Sequence, residues 1–192
     1  MERKANYPIN PLFLKRHSPR AIADKPLEKE KLMSLFEAAR WAPSSYNNQP
    51  WRYVYSFKGS RVWQGLQALL VPQNRLWTSN APVIICVLSH NLFQHNNQPS
   101  RTHSFDAGSA WENLALQAAD MDLVAHAMEG FDYEGVRTYL SIPNMYTVEA
   151  MIVVGYPGNI DDLPQDLRKG DLEYTDRMPL ENFAFEDTFK LL

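Results

Sequence analysis

Ala42-Pro43-Ser44-Ser45-Tyr46-Asn47-Asn48-Gln49-Pro50-Trp51 lies between a helical pattern and a strand pattern. Its two prolines fix φ and deny the backbone a helix. Its serines and asparagines supply short donors and acceptors able to reach the edge of a flat bound ring, and Gln49 adds one more amide. A stretch of this kind is either a turn-rich connector or a rigid polar loop that grips a ligand. A second motif upstream favours the ligand-gripping loop.

That motif is Arg16-His17-Ser18-Pro19-Arg20. Arginine offers a planar fork of donors that engages phosphate bidentately, serine adds a hydroxyl and histidine a ring donor. The alternative is a solvated basic end to a short helix, a place the helix macrodipole favours for cations. Asn10-Pro11 supplies a cap and first position for that helix, which runs to Arg16. A second helix spans Leu27 or Glu28 to Trp41, with Leu32, Leu35, Phe36 and Ala39 on its apolar face.

Downstream, residues 52–57 read as a strand, 58–60 as turn and cap, and Ser60 opens a helix to about Val71. Val83 to Ser89 is a continuous apolar run, expected to be buried on both faces and central in a sheet. Cys86 sits inside that run and reads as an inert buried thiol rather than a nucleophile. Two more strands are expected at Leu123 to Met128 and Glu149 to Tyr156. Ser104 to Asp122 is a long helix with little polar circumference, predicted to be buried nearly all round. Its small residues Gly108 and Ala115 would admit another helix, from the same chain or a second subunit. After Pro157 the chain turns acidic and turn-rich through Gly170, which predicts a solvated excursion.

The 192 residues, 45% of them hydrophobic, suffice for one sizeable core, and a single domain over 1–192 is expected. A net charge of −3 argues against a general nucleic-acid or anionic-membrane surface while leaving room for a local phosphate site. The charged, proline-containing start and the single cysteine fit a cytoplasmic protein without a secretory leader or membrane span.

The two motifs and the helix between them resemble the FMN-dependent nitroreductase family, whose chains carry an Arg-rich Ser motif followed by an Ala-Pro-Ser-Ser-x-Asn-x-Gln-Pro-Trp loop. The resemblance continues at Ala127-Met128-Glu129-Gly130-Phe131-Asp132 and Val153-Val154-Gly155-Tyr156-Pro157, and ends at Asp176-Arg177-Met178-Pro179-Leu180. It spans about residues 10 to 182. It implies an α+β fold: a three-layer α/β/α arrangement around a mostly antiparallel sheet, assembled as an intertwined homodimer with FMN at the subunit boundary.

By the same resemblance, Arg16, Ser18 and Arg177 would hold the FMN phosphate with His17 alongside, and Arg20 would lie near the flavin's N1 and O2. Pro43, Ser44, Ser45, Asn47 and Gln49 would reach the cofactor from the partner subunit. Asn74, with Gln73 competing, would meet the pyrimidine edge. The strand end at Met128 leads to the amides of Glu129 and Gly130, which would face N5. Thr175 stands where many relatives carry a second cation. The implied reaction takes hydride from NADH or NADPH to a small conjugated acceptor such as a nitroaromatic or quinone, by ping-pong turnover, with no catalytic side chain required. The polar segment from His90 to His103 would cover the flavin face. Two other readings stay open: a flavin carrier or sensor without turnover, and a metal-dependent hydrolase using His90, His95, His103 and His126.

Overall fold

The computed structural model describes residues 3–172 and 176–190, so Thr175 lies outside the described residues. Four strands form one antiparallel sheet: β1 (Trp51–Phe57), β2 (Val83–His90), β3 (Val124–Met128) and β4 (Tyr146–Gly155), in spatial order β1-β2-β4-β3. The apolar run of β2 is central, as its composition requires, because neighbours on both sides and layers on both faces leave no solvent side.

Alternation along the strands sends side chains to two separate cores. On one face Ile84, Cys86, Leu88, Met151 and Val153 pack against Trp63 and Leu66 of α3 (Arg61–Ala68), Trp77 of α4 (Pro72–Thr78) and Val136 of α6 (Tyr133–Tyr139). On the other face Val83, Ile85, Val87, Ile152 and Val154 meet α2 (Lys29–Arg40) and α5 (His103–Asp120). Leu32, Leu35 and Leu114 on these helices are fully buried, each contributing about 1.5–3 kcal/mol. Burial also pushes the Cys86 thiol up to about 12, which keeps it protonated and inert.

Several elements differ from the sequence expectation. The helix opened by Ser60 stops at Ala68, because Pro72 forces Val71 into an extended conformation and starts α4 as a separate helix. Strand β4 begins at Tyr146, three residues before Glu149, and carries a bulge there: Val87 pairs with Ala150 and Leu88 with Val148, leaving Glu149 as the extra residue.

The segment after Pro157 is not merely solvated. It buries Leu163 and forms α7 (Gln165–Leu172). Helix α5 is buried on one side only: Phe105 is 77% exposed, and a Cβ placed on Gly108 would meet nothing within 4 Å. Among the described residues, no helix is long and apolar enough to cross a membrane.

Candidate functional site

Helix α1 (Pro11–Lys15) ends where Arg16 turns extended, and the following residues pass beside β3, where His126 Nδ1 lies 3.0 Å from the Pro19 carbonyl oxygen. Arg16, His17, Ser18, Arg20 and Arg177 converge on one cavity of about 300 Å³, which Arg3, His126 and Asp171 also line. Four residues expected at the phosphate, one of them from the far end of the chain, are thus brought together with Arg20, the one expected beside the flavin's N1 and O2.

Arg16 Nη1 donates to Ser18 Oγ at 3.4 Å, and its Nε lies 3.8 Å from Glu112 on α5. Asp171, on α7, accepts from Arg20 Nη1 at 3.0 Å with one oxygen, and from the Arg20 and Ala21 amides at 2.6 and 3.2 Å with the other. Arg20 therefore faces the cavity already paired. Burial holds His126 below its ordinary value; the Pro19 carbonyl opposes this, and the cations Arg20 and Arg16 reinforce it.

At the end of β3 the Met128 side chain is in the core, leaving its backbone for any ligand. Glu129 is exposed. The Gly130 carbonyl accepts from the Val71 amide and from Asn74 Nδ2, both at 3.0 Å, while Asn74 Oδ1 accepts from Trp77 Nε1 at 3.3 Å. Asn74 thus braces the Glu129-Gly130 turn. A Cβ on Gly130 would come within 2.8 Å of the Asn74 amide, so only glycine permits this approach.

The 43–49 loop lines no part of the phosphate-side cavity. Tyr46, Asn47 and Gln49 hold positive φ values of 53°, 53° and 47°, a strained backbone that its surroundings fix. Ser44 Oγ accepts from the Gln49 amide at 3.0 Å, Asn47 offers its carbonyl to Gln49 Nε2, and Asp106 of α5 accepts from the Ser45 amide at 3.1 Å. Pro43 and Asn47 are exposed.

Asn48, only 5% exposed, ties the loop to the His90–His103 segment: its Nδ2 donates to the Leu92 carbonyl, and its Oδ1 accepts from the Gln94 amide at 2.9 Å. Tyr46, Phe93 and His95 pack as three mutually contacting rings, Tyr46 and Phe93 edge-on and the other two pairs tilted. The segment is therefore joined to the loop.

Sequence reasoning named His126 only for a metal site, and it missed Asp171, Asn48 and Asp106. The last two carried a signal: an extra amide in the quoted loop and a carboxylate on an otherwise apolar helix. Asp171 reaches Arg20 from 151 positions away, a pairing that no local pattern reports. The histidines named for a metal site are dispersed; among the described residues, no group of three or more His, Cys, Asp or Glu side chains is arranged to hold a metal ion.

Known proteins share this fold. A crystal structure described as an oxidoreductase containing FMN is 41% identical, covers 98% of this chain and 96% of its own, and superposes with a TM-score of 0.92. A Desulfovibrio desulfuricans protein solved in complex with FMN is 25% identical over 95% of this chain and 100% of its own, with a TM-score of 0.72. An NADH dehydrogenase of Thermus thermophilus is 26% identical over 177 residues, 75% of this chain and 84% of the relative. The model of the Nitroreductase family matches residues 14–61 and 61–156. With the loop, the cavity and the sheet in place, the chain belongs to the nitroreductase family.

Proposed function

We propose that this protein is an FMN-dependent oxidoreductase that takes hydride from NADH or NADPH and reduces a nitroaromatic, a quinone or a similar conjugated acceptor. The observation that carries this reading is the convergence of Arg16, Ser18 and Arg20 with Arg177 on one cavity. The donor set fits a single phosphate monoester: planar cationic forks, a hydroxyl and a ring nitrogen around a space of about 300 Å³. No Gly-rich dinucleotide turn accompanies it, which favours FMN over FAD.

The bound FMN supplies the hydride relay between nicotinamide and acceptor. Arg16, Ser18 and Arg177 hold its phosphate, and the amides of Glu129 and Gly130, braced by Asn74, would face its reactive nitrogen. Arg20 contributes a fixed cation whose field Asp171 moderates. The 43–49 loop belongs to the second half of the site and comes from the partner of a homodimer. Two findings support this: the loop stands apart from the cavity of its own chain, and Phe105 and Gly108 leave one side of α5 open. Nicotinamide and acceptor would occupy the same space at the cofactor in turn, so turnover would be ping-pong.

The test is direct. Purified protein should be yellow, release FMN on denaturation, and lose its oxidised flavin absorbance when NADH or NADPH is added without oxygen. Double-reciprocal plots at several acceptor concentrations should be parallel. Absence of FMN after reconstitution would overturn the reading, and retained FMN without turnover would identify a carrier or sensor.

A further inference from the structure

His126 lines the same cavity as Arg16, Ser18, Arg20 and Arg177, although it lies outside both sequence motifs. Its Nδ1 is 3.0 Å from the Pro19 carbonyl oxygen. A carbonyl only accepts, so Nδ1 carries a proton whatever the charge of the ring. Neutral His126 is therefore fixed as the Nδ1–H tautomer, and its Nε2 is a bare lone pair. Among the described residues Nε2 has no hydrogen-bond partner. It is not sealed in the core either, because the buried side-chain polar atoms without a partner are Tyr53 Oη and Ser100 Oγ. Pro19 occupies the Nδ1 edge of the ring, and the Trp77 indole packs against it with centroids 4.5 Å apart. The cavity that His126 lines is the space left for Nε2.

A bare nitrogen and a phosphate oxygen repel each other. A proton between them turns the contact into a charge-assisted hydrogen bond. The rest of the wall decides where that proton resides. Arg3, Arg16, His17 and Arg20 from the start of the chain and Arg177 from its end surround the cavity; Asp171 is the acid among them, and Arg20 already engages it. Strand β4 pairs Val153 with His126 and α4 presents the Trp77 indole, both uncharged. Such a set of cations favours the dianion of a phosphate monoester, whose second pKa is about 6, and leaves the proton to the imidazole. Without an anion the same cations oppose that proton: burial first, then Arg20 and Arg16 against the Pro19 carbonyl and Asp171, hold His126 below its ordinary value. A bound dianion reverses the sign of the field.

We propose that His126 is a further phosphate ligand of this protein, one that binds a phosphate monoester through Nε2 by taking up one proton per anion. The proposal rests on the FMN reading of the cavity. Water gives up a proton, an N–H bond forms at Nε2, and that N–H donates to a phosphate oxygen; no bond to phosphorus changes. Affinity then holds up as the pH falls below neutrality, where arginines alone would lose it because the phosphate itself becomes protonated.

Two measurements test this. In the first, Kd for FMN is measured between about pH 8 and pH 6 for the protein and for His126→Gln, whose amide does not titrate. The ratio of the two constants should move about tenfold in favour of the unmodified protein as the pH falls, one pKa unit in His126 being a factor of ten in affinity. His17 is present in both proteins and cancels. In the second, unmodified cofactor-free protein labelled with ¹⁵N-histidine is titrated with inorganic phosphate at about pH 6.5, the ordinary histidine value. His126 Nδ1 should stay protonated and Nε2 should gain a proton, whereas chloride at the same ionic strength should leave Nε2 bare. This measurement needs no variant and decides the matter if His126→Gln does not fold. A pH-independent ratio, an Nε2 that stays bare in saturating phosphate, or one that chloride protonates equally overturns the proposal while FMN binding stands. Failure of the unmodified protein to bind FMN at any of these pH values would instead remove the cofactor reading, and the ligand role with it.

Discussion

Asp171 and Arg20 are joined twice. One carboxylate oxygen accepts from Arg20 Nη1 at 3.0 Å and the other from the Arg20 main-chain amide at 2.6 Å. The carboxylate is almost wholly buried, 4% exposed, whereas the guanidinium is 35% exposed. Replacing Asp171 by Ala leaves two amides and a cation without their acceptor. The expected loss is about 2 kcal/mol, discounted for the solvent around Arg20, and read as a lower urea midpoint at unchanged m-value.

Arg16→Ala and Arg177→Ala should each weaken FMN binding by about 1.5–3 kcal/mol, the value of a charge-assisted hydrogen bond, or roughly ten- to a hundredfold in Kd. Titration of cofactor-free protein with FMN, followed by quenching of flavin fluorescence, measures this. Unchanged constants in both variants would remove the cavity from the cofactor site.

Asn47 and Asn48 are neighbours with opposite roles. Asn48→Ala removes a buried amide and cuts its ties to the half-buried Leu92 carbonyl and to the Gln94 amide, so it should cost about 1–2 kcal/mol of folding stability in thermal or urea unfolding. Asn47 is exposed, so Asn47→Ala should cost only about 1 kcal/mol, the penalty for alanine at a φ of 53°, while weakening FMN binding.

His126 makes folding pH-dependent. Its folded value lies below the ordinary 6.5, so the unfolded chain binds more protons as the pH falls. The stability it contributes is complete above about 6.5 and declines as the pH drops through that value toward the lower folded one. His126→Asn should flatten this part of the stability profile. An anion in the cavity offsets Arg16 and Arg20, so inorganic phosphate should move the His126 NMR titration upward; no movement would place the anion elsewhere.

Legibility followed the range of the physics. The β2 run, the α2 face and the turn chemistry of the 42–51 stretch are local, and the sequence displays them. Helices α4, α6 and α7 are only seven or eight residues long. Their propensity is too weak to reveal them, and docking against the core stabilises them. The Arg16 and Arg177 motifs were recognisable one at a time; that Asp171 would occupy Arg20, and that a bulge would aim Glu149 at Ser89, depends on pairings made only in the folded chain. The apolar circumference of α5 suggested burial all round, yet Phe105 stands exposed, so composition alone does not report how much of a helix its own chain covers.

Helix α5 also fixes a distance. It holds the 43–49 loop through Asp106 and approaches Arg16 through Glu112, six residues farther on. At 1.5 Å per residue the two attachments are about 9 Å apart along one stiff axis. One residue added between them would swing Glu112 by about 100° and carry it off the Arg16 side. The interior of this helix should therefore tolerate changes of side chain far better than changes of length, while the loops at its ends can be rebuilt without disturbing the spacing between its attachments to the 43–49 loop and to Arg16.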